Sequence, residues 1–195
     1  MLSSLFSNPI LFLLNIGALL VALTIHEFSH AVVADKLGDP TPRLKGRITL
    51  NPIKHLDPFG TLLLLFAGFG WGKPVEYDPY NLRHPRKDSA LIALAGPASN
   101  ILMAVALSFL LRLFPLPDIL TAFATFTIHI SLVLAVFNFI PIHPLDGGRV
   151  LIGFLPEAMA HDWDQVLKRY GIIILFLLIF PFGNSQSPIS YLVAP

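Results

Sequence analysis

The chain has 195 residues, room for one modest domain, and is 54% hydrophobic but only 13% charged, where a soluble domain carries about 25% charged residues. So little polar surface excludes the water-soluble class and calls for lipid around the chain. A net charge of +1, with no basic patch interleaved with aromatics outside the loops, excludes nucleic-acid binding. The absence of Cys excludes disulfides, thiolate-bound zinc and iron–sulfur centres, so any metal must be held by His, Asp or Glu.

The first apolar block, Ile10 to about Ala34, is long enough to span and is interrupted late by His26, Glu27, Ser29 and His30. No positive stretch precedes it and no small-residue cleavage site follows, so it reads as a retained helix and not as a signal peptide. Residues 35–58 read as loop because of Gly38, Pro40, Pro42 and Gly46, with RITL (47–50) as a short strand-like run. Residues 59–70 are apolar but too short for a normal span and suit a segment that dips into the membrane and returns. Residues 71–88 are loop again, with KPVEY as an extended segment.

Ser89–Leu111 spans and contains Ala-Gly-Pro-Ala-Ser-Asn at 95–100. Its small residues admit a close neighbour, and Pro97 kinks the helix or frees a carbonyl. Ile119–Ile140 spans next and runs into PIHPLDGGRV. A polar amphipathic stretch, 156–169, precedes a last apolar run, Tyr170–Phe180, which crosses only if Val166 and Leu167 are included.

If 59–70 re-enters and the other four blocks cross, twelve of the thirteen Lys and Arg residues share one side, with Arg112 alone opposite. The positive-inside rule makes that side cytoplasmic and puts the N-terminus outside.

His26-Glu27-Phe28-Ser29-His30 is an H-E-x-x-H pattern. On a helix, residues four apart share a face, so the two imidazoles can hold one Zn²⁺, and Glu27 beside them can take a proton from water. Ionisable groups near the end of a span are costly unless they have a partner or a task. A catalytic zinc wants a third protein ligand. Asp146, before Gly147-Gly148 and at the matching end of its span, is the best candidate, with a turn or helix-capping Asp as the alternative. His143 is a weaker candidate, and His84 and His161 read as solvated. His129, mid-span, suits a bond across helices. His55 suits substrate positioning or the oxyanion, or else a structural role. Asn138 suits either an oxyanion or a helix–helix bond, and Asn100 leans to the structural one.

Three separated motifs, HEFSH (26–30), AGPASN (95–100) and NFIPIHPLDGG (138–148), resemble those of the site-2 protease family of intramembrane metalloproteases, peptidase family M50. The resemblance covers about residues 10–155 and is to the short prokaryotic members, without PDZ insertion or CBS tail. It implies an all-α polytopic fold of one membrane-embedded domain. Three core transmembrane helices would be joined by short extended or re-entrant segments, with an additional C-terminal helix at about 166–183. It implies one zinc held by His26, His30 and Asp146 toward the cytoplasmic side of a prokaryotic cell membrane, with Glu27 as base. The substrates implied are transmembrane proteins, such as anti-sigma factors. The non-helical runs 43–58 and 71–78 suit strand addition to an unwound substrate. The rival readings are a zinc-binding membrane scaffold that does not cut and a metal transporter. The transporter would want further acidic or His residues facing one another midway through several spans, and apart from His129 the third and fourth blocks supply none.

Overall fold

The computed structural model describes residues 7–67 and 70–179. The first apolar block folds as α1 (Pro9–Lys36). Asn8 starts it by accepting the Leu11 N–H at 3.1 Å, with Pro9 in the first turn, where a missing N–H costs nothing. It ends before Gly38, whose φ of +113° suits glycine. The buried positions of α1 are Ala18, Ala22, Thr24, His26, Glu27, His30, Ala31 and Ala34, all small or polar. Its large apolar side chains, such as Ile10, Leu13 and Val21, face outward. That inversion suits helices that meet through small residues and turn their bulk to lipid.

After α1 the chain makes a single helical turn, Thr41–Leu44, and a 3₁₀ turn, Pro52–His55. The expected strand-like run RITL forms no strand: the chain bends there, with Arg47 turned inward and Leu50 outward. α2 (Pro58–Ala67) has ten residues, a rise of about 15 Å against a hydrocarbon core of about 30 Å. Asp57 caps it, its side chain accepting the Gly60 N–H at 2.8 Å. The chain then comes back to where it left. A Cβ on Gly60 would lie 2.1 Å from the Trp71 carbonyl oxygen. Leu56 and Gly72 form an antiparallel bridge, and the Lys73 N–H donates to the His55 carbonyl at 2.8 Å. Leu56 and Gly72 therefore lie side by side, and α2 between them carries exposed Phe59, Leu62 and Phe66.

α3 (Pro85–Leu113) and α4 (Asp118–Asn138) follow, and both pack on α1. Among the described residues, α1, α3 and α4 are long and apolar enough to cross a membrane. Their exposed positions include Leu102, Phe109, Ile119 and Leu132, while Ala104, Ala124 and Ala135 are buried. α5 (Asp146–Phe154) packs on α3. The last described helix, α6 (Glu157–Ile179), merges the expected amphipathic stretch and the apolar run into one element that begins nine residues before the expected 166. Residues 180–183 of that expectation lie outside the described residues. α6 is not one of the membrane-length apolar helices, because its first half carries Glu157, His161, Asp162, Asp164, Lys168 and Arg169. Leu167, Ile174 and Leu178 pack it on Ile142 and Leu145, below the end of α4. The described residues contain no sheet, only the isolated 56–72 bridge.

Candidate metal centre

The H-E-x-x-H residues lie in the second half of α1, where helical spacing puts both imidazoles on the face turned to α3 and α5. The rings meet edge to face with centroids 4.6 Å apart, and their Nε2 atoms are 3.0 Å apart. Asp146, the first residue of α5, brings Oδ2 to 3.1 Å from His26 Nε2 and 3.2 Å from His30 Nε2. It lies in the first turn, after the cap residue Leu145. Three ligand-type atoms from chain segments more than a hundred residues apart thus form a nearly equilateral triangle. Its edges are close to the roughly 3.3 Å separating two ligands of a tetrahedral zinc. The donor set, two imidazoles and a carboxylate, fits such an ion.

Three local features hold the triangle. His30 Nδ1 lies 2.6 Å from the Ile92 carbonyl. A carbonyl can only accept, so Nδ1 carries the proton and Nε2 keeps its lone pair for a cation. The Ile92 carbonyl is one residue before the carbonyl that Pro97, lacking an N–H, leaves unpaired in α3. Gly96 presses on both rings: a Cβ there would lie 2.5 Å from His30 Nε2 and 2.6 Å from His26 Cε1. Gly147 admits the start of α5 beneath the end of α4, where a Cβ would lie 2.4 Å from the carbonyl oxygens of Phe139 and Ile140.

Glu27 is buried beside the triangle. Its Oε2 accepts the Val75 N–H at 3.0 Å and lies 3.8 Å from Arg47 Nη2. Arg47 itself donates through Nη1 to the Pro74 carbonyl at 3.0 Å and through Nη2 to the Lys73 carbonyl at 2.6 Å. Burial pulls its guanidinium below the ordinary value, and the charges of Glu27 and Glu76 oppose that shift. Sequence reasoning counted Arg47 only as one basic loop residue. Nothing local distinguishes it from Arg43 or Lys45, which reach Asp35 in the last turn of α1 and Glu76 in the loop.

The second group of candidates separates. His26, Glu27, His30, Asp146 and Asn138 line one cavity of about 540 Å³. Its walls are mostly apolar, with Leu19, Leu23, Leu64 and Phe137 among them. The Asn138 amide N–H₂ donates to its own helix at the Leu134 carbonyl, 2.9 Å away. His55 is fully buried and does not line the cavity; its Nε2–H donates to the Thr49 carbonyl at 2.8 Å, and Nδ1 faces Arg47 Nη2 at 3.4 Å. Asn100 is fully buried in α3, one turn beyond Gly96, also outside that cavity. His143 lies 3.2 Å from Asp164 on α6, His161 bonds Gln165, and the His84 N–H donates to Asp88. His129 is exposed on the outside of α4, so the expected bond across helices is not formed.

Several known proteins are similar to this chain. The model of "Peptidase family M50" matches residues 115–181. "Putative zinc metalloprotease YwhC" of Bacillus subtilis is 42% identical over 176 residues, covering 85% of this chain and 80% of that protein. "Putative zinc metalloprotease Rip2" of Mycolicibacterium smegmatis is 32% identical, covering 89% of this chain and 69% of that protein. "Putative zinc metalloprotease MJ0611" of Methanocaldococcus jannaschii is 30% identical, covering 75% of each. No solved structure matches.

Proposed function

Since the chain belongs to peptidase family M50, we propose that it is an intramembrane zinc endopeptidase that hydrolyses peptide bonds in or near the transmembrane segments of other proteins. The observation that carries this reading is the convergence of His26, His30 and Asp146 at 3.0–3.2 Å with Glu27 buried beside them. His26 Nε2, His30 Nε2 and Asp146 Oδ2 would hold one zinc ion. An ion bound there would supply Lewis acidity, acidifying water and polarising the scissile carbonyl.

The remaining steps belong to the chain's own groups. The cavity walls of leucine and phenylalanine hold an apolar stretch of substrate next to the ligands. Glu27 takes a proton from the attacking water and returns it to the leaving amine. The amide of Asn138, in the same cavity, turns from the Leu134 carbonyl to the developing oxyanion. No covalent enzyme intermediate is needed. The triangle sits at the end of α1 where the basic loops 37–57 and 71–84 gather, which favours an active site on the cytoplasmic side and an N-terminus outside.

Replacing Glu27 by Gln keeps the shape and removes the base. E27Q is expected to lower cleavage by a factor of about 1,000 or more while metal analysis still finds one zinc per chain. An E27Q protein that cuts at the wild-type rate would remove Glu27 from the mechanism.

A further inference from the structure

Arg47 is 5% exposed beside the metal cluster and has no part in the reaction set out above. A buried guanidinium is costly unless its donors are used. Here the two terminal nitrogens are spent on one task, while the buried Nε has no hydrogen-bond partner. Two parallel N–H groups of the fork hold the consecutive carbonyls of Lys73 and Pro74. The next backbone group, the Val75 N–H, is the donor to Glu27 Oε2. Nη2 also faces that oxygen at 3.8 Å. His55 orients the fork from behind: with its Nε2–H committed to the Thr49 carbonyl, Nδ1 is an acceptor turned to Nη2 at 3.4 Å. The Lys73 N–H closes the set on the His55 carbonyl at 2.8 Å. The polar groups of residues 73–75 that face the centre are thus spoken for. Both contacts of Glu27 fall on Oε2, which leaves Oε1 to carry the proton.

The geometry points to Arg47 as a positioning residue for the reaction. Seated by His55, it fixes the 73–75 backbone, and through the Val75 N–H and its own charge it holds the Glu27 carboxylate in place beside the metal ligands. This rests on Glu27 being the base. It also changes the expected use of 71–78: residues 73–75 face the centre as a brace for the base, and strand addition is left to their other edge. Lysine is a poor substitute, because a single ammonium cannot hold two carbonyls in a plane.

The test compares wild type, E27Q, R47K and R47M on a transmembrane peptide, with zinc content and amide exchange over residues 72–77 measured on each. R47M is expected to lose about 100-fold in kcat, the scale of a misplaced catalytic group. Its KM should stay within about threefold and its zinc at one per chain, while the Lys73 and Val75 amides exchange at least about tenfold faster. R47K should regain about tenfold of the kcat by restoring the charge. R47M with wild-type kcat and exchange, beside an inactive E27Q, overturns the role of Arg47 and leaves the protease reading intact. E27Q as active as wild type overturns the reading of Glu27 instead. A kcat loss in R47M that follows zinc loss in proportion, with R47K no better, assigns Arg47 a purely structural role. Should R47M fail to fold, H55L takes its place, with the same expected drop in kcat and the same overturning result.

Discussion

Gly96 acts through what it lacks. Any side chain there would occupy the space of two imidazole rings, since a Cβ would fall 2.5–2.6 Å from their atoms, a distance that neither ring can relieve while bonded to Ile92 and facing Asp146. G96A is therefore expected to keep its helix content but to bind zinc at least about tenfold more weakly, read by competition with a chromogenic chelator. Wild-type affinity would show that α1 and α3 can part without cost. The candidate metal-holding cluster was legible at this scale because its chemistry is local: two His at helical spacing, and one Asp before a pair of glycines. Arg47 was not. Its role depends on the carbonyls of residues 73 and 74, which approach only after the chain has gone out through α2 and returned.

At the scale of elements, the loops around the centre are tied by Asp39. It is fully buried and accepts from the Thr41 N–H and hydroxyl, the Asp78 N–H and the Asn81 amide at 2.6–3.1 Å. Burial alone would raise its carboxyl, but these hydrogen bonds outweigh it and hold the group below the ordinary carboxylate value. A depressed value in the folded state means the contribution is complete above the unfolded value, about 3.9, and is lost as pH falls through the folded one. Loops 37–46 and 77–82 should therefore loosen only below about pH 4, read as accelerated proteolysis of those loops. D39A should cost about 2–4 kcal/mol at neutral pH and flatten that acid limb; an unchanged limb would assign it to another carboxylate. The pattern of apolar blocks predicts α1, α3 and α4 well, since length and hydropathy decide them. It misplaced the start of α6, where polar and apolar halves join in one helix without a breaker, and it made a strand of RITL, whose Arg47 is drawn inward by partners distant in sequence.

At the scale of the molecule, the three membrane-length helices among the described residues and an excursion that closes on itself put both long basic loops at one end. The chain has no Cys, so single introduced cysteines report sidedness without background. L44C, at an exposed site in the first basic loop, should react with an impermeant maleimide only after the cytoplasmic side is opened. F114C, between α3 and α4, should react in intact cells; the reverse pattern would invert the topology. The central claim is tested most directly by reconstituting the protein in bilayers with a panel of labelled transmembrane peptides, removing metal with a chelator and restoring zinc. The account predicts a cut mapped within or at the edge of the apolar segment, lost with the metal and regained with zinc. A zinc-loaded, folded protein that leaves the panel intact, together with substrates of related proteases intact in cells, would contradict it and make the chain a metal-binding membrane scaffold.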